Sequence, residues 1–96
     1  MYGLIGSFKA ATGKRAEIVA ILLGDVGPMP GCKSYVVAED LTDSDVVWIT
    51  EVWDSEASHK ASMELPDVKA AIAKAMPLIA SFGEHREVKV VGGHGL

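Results

Sequence analysis

The side chains that could do chemistry in this 96-residue chain lie between Tyr35 and Met63. His59 leads, because imidazole has an ordinary pKa of about 6.5 and moves protons near neutrality. The plain alternative is a solvated helix histidine beside Lys60. Trp53 offers a flat apolar wall that would orient an aromatic ring, unless it is only a core tryptophan at a strand end. Glu51, set between Ile49 and Trp53, is either a base with a raised pKa in an apolar site or a carboxylate tied to backbone donors or a cation. Tyr35 either turns its hydroxyl into a pocket or packs as a strand tyrosine. Ser62 and Met63 share a helix face with His59 and Pro66 at spacing i, i+3, i+4, i+7, and the apolar Met63 argues that this face turns inward. Ala57 and Ala61 sit on one flank, and Lys60 and Glu64 suit water on the other.

Other chemistries lack their residues. His59, His85 and His94 show no metal-ligand spacing, so no metal is expected, and His85 and His94 are expected to be solvated. Cys32 has no base beside it in sequence and reads as an inert thiol. Gly13-Lys14 lacks the upstream glycines and the following hydroxyl residue of a P-loop.

The stretch Val46–Trp53 must position Glu51 and Trp53. Its β-branched and aromatic content predicts a strand, and it is apolar on both alternating faces, Val46, Trp48, Thr50 and Val52 against Val47, Ile49, Glu51 and Trp53. Both faces are therefore expected to be covered, one by helices and the other by a second copy of the chain. Before it come a strand from Tyr2 to Ala11, weakened by Gly3 and Gly6, which would leave space for a ligand or another backbone. Then come a helix from Lys14 to about Leu23 with Thr12 as its cap and a stripe of Ile18, Val19, Leu22 and Leu23, and a Gly- and Pro-rich loop over residues 24–31. A strand from Cys32 to Glu39 and a polar hairpin over residues 40–45 lead into it. Asp54 or Ser55 caps the next helix, which runs to about Leu65, and Pro66 starts another. Val68, Ala71, Ile72, Ala75, Met76 and Ile79 make its stripe, Pro77 kinks or divides it, and Gly83 ends it. The last strand is expected over Arg86–Val91, followed by a mobile tail at 92–96. The order β-α-β-β-α-β predicts an α+β, ferredoxin-like split-βαβ fold with a four-stranded antiparallel sheet.

Composition narrows the partners. A 10.1 kDa chain makes one domain and buries roughly 64% of its unfolded surface, a small core that would gain from dimerisation. With 49% hydrophobic and 23% charged residues it is not a disordered sequence. A net charge of −4 without a basic run argues against nucleic acid, and no apolar run approaches a membrane span. Met1-Tyr2-Gly3-Leu4 lacks the charged start of a signal peptide, and one cysteine fits a reducing cytoplasm.

Pro30-Gly31-Cys32 leading to Tyr35, then Glu51-Val52-Trp53-Asp54-Ser55-Glu56-Ala57, then Pro66, resemble the antibiotic-biosynthesis monooxygenase (ABM) family over nearly the whole chain. The resemblance implies a dimeric α+β barrel with a pocket between helices and sheet in each subunit. It also implies, in some members, oxidation of quinols or anthrones by dioxygen without metal or flavin, so no cofactor is expected. Other relatives degrade haem, isomerise a sugar-derived signal, or have no known activity. By that resemblance Trp53 matches a tryptophan closing strand three, His59 stands where anthrone-oxidising relatives have a tyrosine, and Ile49 replaces an asparagine. Ser62 stands where many quinol-type members carry a histidine. The haem-degrading set of asparagine, tryptophan and histidine falls on Gly6, Ser62 and Ile72, which disfavours that activity. The expectation is a cofactor-independent monooxygenase acting on a small aromatic or quinol-type molecule, with His59 and Trp53 catalytic and Tyr35, Glu51, Met63 and Ser62 contacting substrate. An isomerase and a non-catalytic ligand-binding dimer on the same fold stay open.

Overall fold

The computed structural model describes residues 1–24 and 27–96. Strand β1 (Tyr2–Ala10) leads to helix α1 (Arg15–Gly24), then to the hairpin of β2 (Cys32–Glu39) and β3 (Val46–Trp53). Helices α2 (Glu56–Ser62) and α3 (Pro66–Ala75) follow, then a 3₁₀ turn (Met76–Leu78) and β4 (Ile79–Lys89). Asp25 and Val26, in the loop read over 24–31, lie outside the described residues. All strand pairs are antiparallel in the order β2-β3-β1-β4. The split-βαβ topology is as the element order requires.

Register assigns the faces. Glu51 pairs with Leu4 and Tyr35, and Ile49 with Gly6 and Val37, so the Val47–Ile49–Glu51–Trp53 row faces the helices. There Ile18 of α1 meets Phe8, Ala10 and Val47 in the buried core, with Val19, Leu22, Val37 and Ile49 packed against it. The opposite face carries Ile5, Val36, Trp48, Val52 and Val88, and no helix among the described residues covers it. Ile5, Val36 and Val88 are consequently exposed.

Caps and breaks follow local chemistry. Ser55 is the N-cap of α2, its hydroxyl accepting the Ser58 amide at 3.1 Å. Gly31, at φ 85°, lies against this cap; a β-carbon there would stand 2.7 Å from Asp54 Oδ1. Its carbonyl accepts the Asp54 amide at 2.9 Å, which ties β2 to the start of α2. Leu65 turns extended ahead of Pro66, the first residue of α3.

Some boundaries differ from the sequence reading. Thr12 does not cap α1; it lies in a turn closed by Lys14 N to Ala11 O, and the Lys14 carbonyl takes the first helical bond from Ile18. Leu23 turns outward and is exposed. The helical region stops at Leu78 because Pro77 has no amide to continue it. Strand β4 then begins at Ile79, not Arg86, and ends at Lys89, with Gly83 inside it. Ala80 and Gly83 are weak strand formers, and pairing of Ile79, Ser81 and Phe82 with Ala10, Lys9 and Phe8 holds the segment extended. Gly83 sits at the irregularity in this pairing, where a β-carbon would stand 2.5 Å from Ser7 Oγ.

Candidate active site

A cavity of ≈600 Å³ opens between the sheet and helices α2 and α3. Its floor is made by alternate residues of the central strands, Leu4, Gly6 and Phe8 from β1 and Ile49, Glu51 and Trp53 from β3. Gly6 lends it depth, since among the described residues the only atom near a β-carbon there would be the Glu84 carbonyl oxygen at 3.5 Å. The helical wall comes from His59, Ser62 and Met63 of α2 and Val68, Ala71 and Ile72 of α3. Phe82, Gly83, Glu84 and His85 of β4 form the exposed rim.

The face read from helical spacing is the one that turns inward. His59, Ser62 and Met63 line the cavity, though Met63 is itself 42% exposed, and Lys60 and Glu64 are exposed. Pro66 is exposed and does not line it. Ala57 and Ala61 are exposed, so they do not provide the close packing expected of that flank. His59 stands edge to face with Trp53, ring centroids 5.4 Å apart, and lies 5.7 Å from the ring of Tyr2.

Trp53 is 1% exposed, so it backs the wall and supports His59; it is not a bare platform. Its indole N–H donates to Glu51 Oε1 at 3.0 Å. That bond answers how a carboxylate is tolerated between Ile49 and Trp53: its partner is a neighbouring side chain, where the sequence suggested backbone donors or a cation. Among the described residues no Lys or Arg pairs with Glu51. Tyr35, its cross-strand neighbour, also lines the cavity. Burial, then the nearby Glu51 and Cys32, push the Tyr35 phenol up to about 12, so it stays a hydrogen-bond donor. Burial and then Glu51 likewise raise the Cys32 thiol, which fits the inert role read for it.

Ser62 is buried, with its hydroxyl spent on the His59 carbonyl at 2.6 Å. It therefore shapes the wall and fixes the last turn of α2. His85 is exposed, as expected, yet it also lines the rim because it pairs across from Gly6. Phe82 was hidden from sequence reasoning by the late placement of β4, and Ile72 was read only as helix stripe and in the haem comparison. Tyr2, behind His59, had no signal in the sequence. Its hydroxyl donates to Glu87 Oε1 at 2.6 Å, and that bond first, then burial, takes its pKa up to about 12. Among the described residues no group of three His, Cys, Asp or Glu side chains is placed to hold a metal ion. Among the described residues no helix is long and apolar enough to cross a membrane.

The site can place a flat ligand against apolar walls and present it with the imidazole of His59, the phenol of Tyr35 and the carboxylate of Glu51. The sequence profile described as Antibiotic biosynthesis monooxygenase matches residues 1–74. Among solved structures, the "putative Antibiotic biosynthesis monooxygenase" of Chloroflexus aurantiacus J-10-fl is 57% identical, with TM-score 0.94 over 97% of this chain and 95% of that one. Counterparts from Deinococcus radiodurans and Caulobacter crescentus CB15, each 24% identical, have TM-scores of 0.80 and 0.83 and share the fold. The former covers 97% of this chain and 95% of its own, the latter 95% and 90%. No curated protein matches the chain. By the profile match and the 57% identity, this chain belongs to the antibiotic biosynthesis monooxygenase family.

Proposed function

We propose that this chain is a cofactor-independent monooxygenase that oxidises a small aromatic or quinol-type substrate with dioxygen. The observation that carries the reading is a ≈600 Å³ apolar cavity with His59 on its wall against Trp53. The imidazole takes a proton from the electron-rich ring. The resulting anion passes one electron to dioxygen, and the radical pair combines into a carbon–oxygen bond. The imidazolium returns its proton to the distal oxygen, giving a hydroperoxide. Loss of water then leaves one oxygen atom as a carbonyl on the substrate and the other as water. The chain's part is to supply the base, hold the ring and keep the anion dry.

Oxygen uptake with a panel of quinols and anthrone-like phenols tests this. Turnover by the untreated protein, lost in His59→Ala, is the expected result. Binding without oxygen consumption across the panel overturns it and leaves a ligand-binding role, which the apolar Ile49 in the cavity floor would suit.

The working form is proposed to be a homodimer, joined through the helix-free face that exposes Ile5, Val36 and Val88. Family members are typically dimeric, which supports this. An interface of this kind buries about 2,000 Å² or more, and sedimentation showing a folded monomer at micromolar concentration would refute it. A cytoplasmic location is the companion expectation, from the single cysteine, Cys32.

A further inference from the structure

We infer that Glu51, paired with Tyr35, makes the cavity selective for uncharged ligands that present a hydroxyl and hostile to ligands that carry a carboxylate, sulfonate or phosphate. The inference deepens the proposed function and rests on the same cavity, though not on its being catalytic.

Glu51 has hydrogen-bonding capacity left over. Its Oε1 accepts the Trp53 indole, and no other hydrogen bond to its carboxylate is found among the described residues. A carboxylate has room for about four such bonds. The remaining capacity faces the cavity that Glu51 lines. Tyr35 lines the same cavity directly across the strand pair, and its hydroxyl makes no hydrogen bond within the described residues. Side by side, they offer one donor and one acceptor, which is what a hydroxyl needs, since it can accept from the phenol and donate to the carboxylate.

Charge supplies the negative half. No Lys or Arg lines the cavity among the described residues. Glu84, on the rim, is already paired with Arg86 at 3.1 Å, whereas Glu51 has no cation. An anionic ligand group placed beside it would meet a like charge in a partly dry site, where such juxtapositions cost most. The hydroxyl held at this pole keeps its proton; the one that faces His59 is the one that gives its proton up.

The test is a matched pair of redox-stable probes, 2-naphthol and 2-naphthoate, titrated calorimetrically at pH 8 into the full chain and into Glu51→Gln. The two probes share the ring system and differ in the group offered to the pole. The wild-type chain should prefer naphthol by about tenfold or more. Glutamine keeps an acceptor for the Trp53 indole but removes the charge, so E51Q should shrink that ratio by roughly the same factor, chiefly by tightening naphthoate. Tyr35→Phe should weaken both probes several-fold, since each can accept from the phenol, and leave their ratio in place. Equal binding of the two probes by wild type, or an unchanged ratio in E51Q, overturns the inference. If E51Q fails to fold, the wild-type ratio together with Tyr35→Phe decides the matter. Naphthol preference in a protein that consumes no oxygen with any quinol would sink the proposed activity and leave the selectivity standing.

Discussion

Asp40 and Glu51 are both carboxylates bonded to the indole of a nearby tryptophan, yet they sit in opposite surroundings. Asp40 begins the hairpin loop. It accepts Trp48 Nε1 at 2.9 Å, the Thr42 amide and hydroxyl at 3.0 and 2.9 Å, and the Asp43 amide at 2.8 Å. Arg15 closes the same loop from outside. Its guanidinium reaches the carbonyls of Asp40, Asp43 and Val46 at 2.9–3.3 Å and the Glu39 carboxylate at 3.2 Å. The Asp45 side chain holds the Gly13 amide at 3.3 Å. At that end of the molecule nearly every polar group is answered by the chain itself. At the cavity Glu51 has one bond and Tyr35 has none within the described residues. A saturated carboxylate holds structure; one with spare capacity above an apolar hollow is available to a ligand. The stabilising hydrogen bonds and the proposed ligand site are therefore separated along the sheet, and substitutions at the two ends should have separable effects.

The largest effect should come from the cavity end. His59→Ala is expected to lower turnover by roughly 10²–10⁴, the usual range for a general base, while changing stability by no more than about 1 kcal/mol. Comparing kcat with the thermal midpoint checks it; a large fall in the midpoint would mean that His59 is a packing residue. Arg15→Met should do the reverse. Removing a charged donor to three carbonyls should cost about 2–4 kcal/mol in denaturant unfolding, with kcat per folded molecule unchanged. Should turnover fall with it, the two ends are coupled after all.

Gly6→Val sharpens the comparison at lower amplitude. The added β-carbon meets only ordinary contact at the Glu84 carbonyl, so the strand should tolerate it, and the methyls would occupy the cavity floor. An approximately tenfold loss of kcat/KM with stability held within about 1 kcal/mol is the expected outcome. Unaltered kinetics would show that substrate does not reach Gly6.

The smallest effect is confined to acid. The amide of Asp43, then the Trp48 indole and Thr42, hold the Asp40 carboxyl well below the usual carboxylate range. Its folded-state value lies below the unfolded one of about 3.9, so its contribution is complete above that value and is lost as pH falls toward the folded value. Thermal midpoints followed from pH 6 downward should fall less steeply in Asp40→Asn than in wild type. Parallel curves would show that the hairpin's hydrogen bonds do not depend on the charge.

Much of this molecule could be read from local pattern. The strand at 46–53, its composition and its two apolar faces are visible in sequence because side-chain period and β-branched content are local properties. So are a helix cap at Asp54 or Ser55, the helix start at Pro66 and the shared face of His59, Ser62 and Met63, although Pro66, read on that same face, does not line the cavity. What tertiary structure decided is what depends on a partner far along the chain. Residues 79–83 became strand because β1 offered an unpaired edge; Ile79 and Phe82 favour strand locally, but Ala80 and Gly83 between and beyond them do not, and Ile79 also fits the helical stripe. Arg15 acquired its role from carbonyls more than two dozen residues away, and Tyr2 met His59 only through the pairing of β1 with β3. The role of Glu51 was undecidable in sequence for the same reason. Whether a carboxylate is structural or available depends on how many donors surround it, and donors are counted in three dimensions.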